Sequence, residues 1–212
     1  MNAARGERLG LLGGTFDPPH VGHLWLATLA RDALDLDRVL FLPAGTPPHK
    51  RRRRLSSAAD RTLMTRLAIA DDPAFELCPI ETARPGPSYT VDTVTELLRR
   101  YPSATRLILI MAADSLLQMD SWREPDRLLS LVEWAVGPRP GAEGPSRAAL
   151  RARFGAAAQR IHLLSGPALD VSSTQVRQRV AAGRAIRYLV PRSVEELIRE
   201  RGLYRERRAS RR

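Results

Sequence analysis

Short apolar segments alternate along the chain with segments of helical periodicity, and this alternation limits the fold more than any other feature. The segments at 38–43 (RVLFLP) and 106–111 (RLILIM) are apolar almost throughout, as is typical of strands buried on both faces. Between them, Val91, Val94 and Leu97 follow one another at helical spacing. Strands that alternate with helices favour a parallel sheet covered by helices on both faces. The sequence therefore predicts an α/β fold with an open parallel sheet. The other predicted strands lie at 9–12, 75–80, 133–137 and 161–164.

The size and composition of the chain indicate one globular domain. Its 212 residues, of which 43% are hydrophobic and 27% charged, suffice for a full hydrophobic core. We predict that residues 1–204 form this domain and that the basic residues 205–212 form a disordered tail. The single cysteine, Cys78, excludes a disulfide framework and a zinc site made of several cysteines. Because the first residues do not resemble a signal peptide and no apolar run approaches the ~18 residues of a membrane span, we expect a cytoplasmic protein without a membrane partner.

The formal net charge of +11 raises the question of a nucleic-acid partner. Much of this excess lies in two arginine-rich runs, at 51–54 and 205–212, which are more typical of solvated loops and chain ends. Only 5% of the residues are aromatic, too few for the mixed basic and aromatic surface of a nucleic-acid binder. We therefore expect no nucleic-acid partner. Lys50, the only lysine, precedes the first run and indicates a place where a compact ammonium group is preferred.

The stretch at 9–24, LGLLGGTFDPPHVGHL, joins a predicted strand to a predicted helix. Gly13 and Gly14 allow a ligand to approach the backbone closely, because glycine has no Cβ. His20 and His23 lie three residues apart beside the N–H groups of the first helical turn, where phosphate groups bind. The same pair could form half of a metal site, but no cluster of His, Cys or Glu completes it. We therefore predict a phosphate site and no protein-held metal.

A second predicted helix start follows near the end of the chain. Ser172 and Gln175 fit a capping box, in which each side chain satisfies a backbone N–H group of the other. The N–H groups of Ser173 and Thr174 then point outward at the positive end of the helix dipole. Arg177 lies one turn further on the same side and offers a forked donor suited to phosphate. Two helix starts of this kind can bind one polyphosphate from both ends.

These two stretches resemble the two signatures of the nucleotidyltransferase superfamily. HVGH at 20–23 corresponds to the first signature, and VSSTQVR at 171–177 stands where the superfamily has I-S-S-T-x-x-R. Further motifs narrow the resemblance to the bacterial nicotinate-nucleotide adenylyltransferases, over residues 9–204. These motifs are PPHK at 47–50, PSYTVDT at 87–93, AAD at 112–114 and Trp122. Ala112 replaces a glycine of the family, so we expect a nucleotide to approach the backbone there slightly less closely, without loss of activity.

The resemblance implies a reaction, a cofactor and a type of sheet. The reaction is adenylyl transfer from ATP to nicotinate mononucleotide, giving nicotinate adenine dinucleotide and pyrophosphate in NAD biosynthesis, and the sheet is Rossmann-like, of the nucleotidyltransferase type. A nucleotide phosphate attacks the α-phosphorus in line, so catalysis consists of positioning and charge stabilisation and needs no protein nucleophile. Since no carboxylate trio is evident, we expect Mg²⁺ to be held mainly by the substrate phosphates and water.

On this resemblance we assign roles at the phosphate site. His20 and His23 contact the ATP phosphates, with His23 nearer the α-phosphoryl group, and Arg177 acts with them as a catalytic residue. The backbone of the two glycines and Thr15 orient the attacking phosphate and the α-phosphate, while the second helix start holds the departing pyrophosphate. The residues predicted to bind ATP or phosphate are Gly13, Gly14, Thr15, Ser173, Thr174 and Lys50. A solvated loop lysine is the alternative for Lys50.

Five residues are predicted to bind the acceptor, nicotinate mononucleotide. Trp122 stacks on the pyridine ring, or is an ordinary packed tryptophan. The helix start at Ser88, Tyr89 and Thr90 binds the nicotinate carboxylate, with Thr90 as a plain N-cap in the alternative. Asp114 holds a ribose or nucleotide hydroxyl, or caps the helix that follows it.

Other functions agree less well with the sequence. An adenylyltransferase for pantetheine phosphate or a flavin mononucleotide shares the superfamily, but the loop at 87–93, Trp122 and the longer chain disfavour it. A dinucleotide-binding oxidoreductase is disfavoured because neither G-x-G-x-x-G after the first strand nor a P-loop motif occurs. The expected partners are ATP and nicotinate mononucleotide, and the sequence leaves a homo-oligomer open.

Overall fold

The computed structural model describes residues 6–47, 55–138, 141 and 144–205. The strands are β1 (Arg8–Gly14), β2 (Arg38–Pro43), β3 (Phe75–Leu77), β4 (Arg106–Ala112), β5 (Glu133–Gly137) and β6 (Ile161–Leu163). They form one sheet in the order β3-β2-β1-β4-β5-β6, and every neighbouring pair is parallel. The predicted strand at 75–80 is shortened to β3: Cys78 still donates its N–H to Phe41, but Pro79 has no N–H to continue the ladder.

The helices in the described ranges are α1 (Val21–Leu34), α2 (Ala58–Ala68), α3 (Thr90–Arg100), α4 (Ala113–Leu117), α5 (Pro125–Leu131), α6 (Arg147–Phe154), α7 (Ser173–Ala181) and α8 (Arg192–Glu200). They cover both faces of the sheet, and each face has its own hydrophobic cluster. Along β4, Leu107, Leu109 and Met111 join the cluster beneath α3–α6, whereas Ile108 and Ile110 join the cluster beneath α1, α2, α7 and α8. The predicted α/β fold, with helices on both faces of a parallel sheet, is confirmed.

The order of the strands creates one special position at the carboxyl edge of the sheet. The chain leaves β1 for β2 and β3 on one side, then crosses back to β4 on the other side of β1. The loops that follow β1 and β4 therefore diverge, and ligands of such sheets bind in the crevice between them. Gly13 and Gly14 end β1 at this crevice. None of the helices in the described ranges is long and apolar enough to cross a membrane.

Candidate active site at the carboxyl edge of the sheet

A cavity of about 450 Å³ opens at the carboxyl ends of β1, β2 and β4. One part of its lining, the phosphate wall, consists of predicted phosphate-site residues, and another part, the acceptor wall, consists of predicted acceptor residues. The lining residues of these two groups are Gly13, Gly14, Thr15 and His23 on the first wall and Ser88, Tyr89, Thr90 and Trp122 on the second. A Cβ added at Gly13 would meet no described atom within 4 Å, so the glycine keeps the backbone accessible from the cavity.

The two histidines stand together at the start of α1. His20 is the N-cap residue in extended conformation, and its ring lies 3.7 Å from the ring of His23, measured between centroids. Nδ1 of His23 accepts the backbone N–H of His20 at 3.1 Å. This bond leaves Nε2 as the protonated nitrogen of a neutral His23 ring, and the ring lines the cavity. His23 is therefore set up as a hydrogen-bond donor to a ligand oxygen.

Burial changes the protonation state of the His20 side chain relative to that of an ordinary histidine. Its side chain is only 7% exposed, and desolvation lowers its pKa from 6.5 to about 4. Its Nδ1 has no hydrogen-bond partner among the described residues. His20 is consequently neutral at pH 7, so it can act toward a phosphate as a hydrogen-bonding group but not as a resident positive charge.

The backbone at the start of α1 differs from the expected cluster of exposed donors. Val21 donates its N–H to the carbonyl of Leu189 at 2.9 Å, and the N–H of His23 reaches back to the carbonyl of His20 at the same distance. These two groups are therefore used within the protein. At this helix start, the histidine side chains are therefore the main groups that can contact a ligand.

The second helix start is hydrogen-bonded to the loop after β1. The capping box is confirmed: Ser172 Oγ accepts the N–H of Gln175 at 3.2 Å, and Gln175 Oε1 accepts the N–H of Ser172 at 2.7 Å. Ser173 Oγ donates to the carbonyl of Pro18 at 2.8 Å. The two predicted phosphate-binding helix starts are thus adjacent and directly bonded.

The guanidinium group of Arg177 contributes to the same junction. It donates to the carbonyl oxygen of Asp17 and to Thr174 Oγ1, the latter at 3.1 Å. The side chain is half-buried. Arg177 therefore brings a fixed positive charge between the loop after β1 and the start of α7.

Asp114 lines a different cavity from the other predicted acceptor residues. It lines a second cavity, of about 230 Å³, that is bounded by α1, the loop at 164–172 and the end of β4. Ser172 and Gly22 line the same cavity, and Ala112 borders both cavities. A Cβ at Gly22 would lie 2.9 Å from Cγ1 of Val171, so glycine permits the close approach of α1 to this loop. Asp114 is placed beside the second helix start rather than beside Trp122.

The acceptor wall is formed by the loop before α3. Tyr89, not Thr90, is the N-cap residue of α3, and Thr90 is the first helical residue. Trp122 lines the cavity and its ring packs 6.5 Å from that of Trp134, while its stacking on a pyridine ring stays a prediction. Arg123 also lines the cavity and stacks over the ring of Tyr89 at 4.9 Å.

Comparison with known proteins identifies the family of this chain. The profile of the "Cytidylyltransferase-like" family matches residues 11–179. A relative from Thermomicrobium roseum, named "Probable nicotinate-nucleotide adenylyltransferase", is 46% identical over 94% of this chain and 92% of its own length. A relative of the same name from Roseiflexus is 48% identical over 93% and 98% of the two chains. The chain belongs to the nicotinate-nucleotide adenylyltransferase family.

Solved structures agree with this family at the level of the fold. The nicotinic acid mononucleotide adenylyltransferase of Plasmodium falciparum, solved in complex with NaAD, superposes with a TM-score of 0.78 at 16% identity over 93% of this chain and 97% of its own. The same protein complexed with APC gives a TM-score of 0.77 over the same shares at the same identity. As a member of this family the chain is a nucleotidyltransferase, and its sheet is the Rossmann-like sheet predicted from the sequence.

Several buried polar residues near the cavity were not predicted from the sequence. Asp17, Arg61 and Glu81 are buried within or directly behind the cavity walls. Nothing in their spacing separates Arg61 from the many surface arginines of the chain, because only the folded structure shows which carbonyl groups surround it. Lys50 and the arginine run at 51–54 lie outside the described residues, so the assignment of Lys50 stays a prediction.

Proposed function

We propose that this protein transfers the adenylyl group of ATP to nicotinate mononucleotide, releasing pyrophosphate and forming nicotinate adenine dinucleotide, a step of NAD biosynthesis in the cytoplasm. The observation that carries the proposal is the shared cavity, which is lined both by Gly13, Gly14 and His23 and by Tyr89 and Trp122. A reaction that joins two nucleotides through their phosphates needs both phosphates in one such space.

The ATP is placed along the junction of α1 and α7. Its triphosphate would run from His23 toward Ser173, Thr174 and Arg177, which hold the β- and γ-phosphates. The adenosine would then occupy the second cavity, where Asp114 accepts a hydrogen bond from a ribose hydroxyl. This placement moves Asp114 from the acceptor nucleotide to ATP, because it shares its cavity with Ser172 and not with Trp122.

The chemical step is in-line attack of the acceptor phosphate on the α-phosphorus. Negative charge shifts toward the oxygen that bridges the α- and β-phosphates, and protein donors stabilise this charge. His23 would donate from Nε2 at this position, while Arg177 neutralises the departing pyrophosphate. Neutral His20 supports the ring of His23 and adds a hydrogen bond without adding charge. Magnesium would arrive on the ATP phosphates, since the described residues contain no group of three His, Cys, Asp or Glu side chains suited to hold it.

The acceptor wall favours a carboxylate on the pyridine ring. The first turn of α3 presents the positive end of a helix dipole at Thr90 and Val91. Trp122 supplies a planar apolar surface for the ring. The neighbouring buried carboxyl, Glu81, accepts a hydrogen bond from the hydroxyl of Thr93 at 2.9 Å, so one of its oxygens is engaged by the protein itself. We therefore expect the nicotinate acid to bind better than the amide.

The proposal is tested by pyrophosphate release from ATP and Mg²⁺ with three acceptors: nicotinate mononucleotide, nicotinamide mononucleotide and phosphopantetheine. We expect the highest kcat/KM with nicotinate mononucleotide, at least about tenfold above the amide, which corresponds to one charge-assisted hydrogen bond. Removal of Mg²⁺ by EDTA serves as the control and should abolish release. Release with phosphopantetheine alone would retain the ATP site but overturn the acceptor assignment.

A further inference from the structure

Arg61 is a buried cation behind the active-site cavity that belongs to none of the family motifs quoted above. It lies on α2 with only 2% of its surface exposed. Burial lowers the pKa of its guanidinium, and the nearby Asp17 carboxylate opposes this shift. A charged group so completely removed from water requires strong hydrogen bonds in return.

Within the described residues, the guanidinium of Arg61 donates to four backbone carbonyls, three of which lie in loops at the carboxyl edge of the sheet. Nη1 donates to Thr15 at 2.9 Å and to Ala44 at 2.5 Å, and Nη2 donates to Gly45 at 2.8 Å. Nε donates to the carbonyl of Ser56 at 3.2 Å. One rigid guanidinium plane therefore joins the loop after β1, the loop after β2 and the residue before the N-cap of α2.

These bonds continue from the loop after β2 to the acceptor wall. The N–H of Gly45 donates to Ser88 Oγ at 3.0 Å, and the N–H of Ser88 donates to the carbonyl of Thr46 at 3.0 Å. The buried carboxyl of Glu81 also lines the cavity and accepts a hydrogen bond from Thr93 Oγ1 at 2.9 Å. A chain of hydrogen bonds thus runs from Thr15 on the phosphate wall to Ser88 on the acceptor wall, with Arg61 at its centre.

The position of Gly45 in this chain is sterically tight. A Cβ at Gly45 would lie 2.3 Å from the carbonyl oxygen of Glu81. Since that atom is backbone, any side chain at position 45 must push the acceptor loop away from the loop after β2. The spacing of the two walls is therefore set by Arg61 on one side of Gly45 and by direct backbone contact on the other.

We propose that Arg61 is a positioning residue that fixes the distance between the phosphate wall and the acceptor wall. It is not among the residues that line the cavity, and it holds the carbonyls of Thr15, Ala44 and Gly45 by hydrogen bonds. The proposal rests on the proposed function, because the spacing matters only for a reaction between two bound nucleotides. A misplacement of about 1 Å between reacting groups lowers a rate by about 10²-fold.

The test compares Arg61→Lys, Arg61→Met and Gly45→Ala with Val194→Ala, a buried residue of α8 in the cluster that α2 also joins. For each protein, binding of ATP alone and of nicotinate mononucleotide alone is measured by calorimetry, together with kcat and the melting temperature. We expect Arg61→Met and Gly45→Ala to lower kcat by about 10²-fold while each separate binding constant changes by less than about threefold. Arg61→Lys should recover part of kcat, because an ammonium group can bond some of the carbonyls but cannot span all of them.

The matched control separates positioning from stability. Val194→Ala should lower the melting temperature and leave kcat within about threefold of the unmodified enzyme. The proposal is overturned if Gly45→Ala and Arg61→Lys retain full kcat, or if the loss of kcat follows the melting temperature in all four variants. Absence of dinucleotide synthesis in the unmodified protein would instead contradict the proposed function, so the two failures are distinguishable.

Discussion

Replacement of His23 by asparagine should lower kcat by about 10²-fold or more while the fold stays intact. The asparagine amide oxygen takes the place of ring Nδ1 and can still accept the backbone N–H of His20, which His23 accepts at 3.1 Å. The donor at Nε2 is lost, and with it the stabilisation of charge on the phosphate oxygens. Initial rates at saturating ATP and nicotinate mononucleotide give kcat, and circular dichroism checks the fold.

Glutamine at the same position supplies the complementary control. Its amide nitrogen reaches the position of Nε2, so His23→Gln should retain more activity than His23→Asn. His162→Ala is the surface control, since this histidine is paired with Glu133 at 2.8 Å on β6 and should not change kcat. Equal activity of the asparagine and glutamine variants would show that the Nε2 donor of His23 has no part in the reaction.

Replacement of Arg177 by alanine should lower kcat/KM for ATP by about 10- to 100-fold, with a much smaller effect on the binding of nicotinate mononucleotide. The guanidinium lies between Asp17 and Thr174 at the junction of the two helix starts, where the pyrophosphate end of ATP is placed. A hydrogen bond to a charged phosphate contributes ~1.5–3 kcal/mol, which sets the size of the expected loss. Steady-state kinetics with each substrate varied in turn measure both effects.

Two further variants sharpen this prediction. Arg177→Lys keeps the charge but loses the fork that reaches Asp17 and Thr174 together, so it should restore only part of the activity. Arg179→Ala removes an arginine two residues along the same helix, whose Nε donates to Ala185 at 2.8 Å, and should leave the kinetics unchanged. Equal losses of ATP use and nicotinate mononucleotide binding in Arg177→Ala would argue against its assignment to pyrophosphate.

Local sequence patterns were sufficient to predict the features that depend on one segment of the chain. The capping box of Ser172 and Gln175 depends on residues three apart, and it was predicted and found. The alternation of strands and helices likewise predicted the parallel sheet, because burial on both faces makes each strand apolar throughout. The placement of Gly13 and His23 on a common cavity wall follows from the same local reasoning.

Contacts between distant segments could not be predicted in this way. Tyr204 donates its hydroxyl to the buried carboxylate of Asp17 at 2.7 Å across most of the length of the chain, and burial raises the pKa of that hydroxyl. Arg61 bonds carbonyl groups of four residues that no side-chain pattern marks. Asp114 was assigned to the acceptor on family resemblance, whereas its position depends on how α4 and the loop at 164–172 pack together.

Tyr204 also refines the expectation for the end of the chain. The prediction placed the boundary of the folded domain at residue 204, and Tyr204 contacts both Asp17 and, at 3.7 Å, the sulfur of Met64. The last described turn thus contacts the loop after β1 through the hydrogen bond from Tyr204 to Asp17. The residues that follow position 205 lie outside the described ranges, and their predicted disorder stays a prediction.

The central claim, attack of nicotinate mononucleotide on the α-phosphorus of ATP, is tested most directly by following labelled phosphorus. The unmodified protein is incubated with Mg²⁺, nicotinate mononucleotide and ATP that carries the label at either the α- or the γ-position. We expect the α-label to appear in nicotinate adenine dinucleotide and the γ-label to appear only in pyrophosphate. Transfer of the γ-label to the mononucleotide, or α-label in free AMP without any dinucleotide, would contradict this claim.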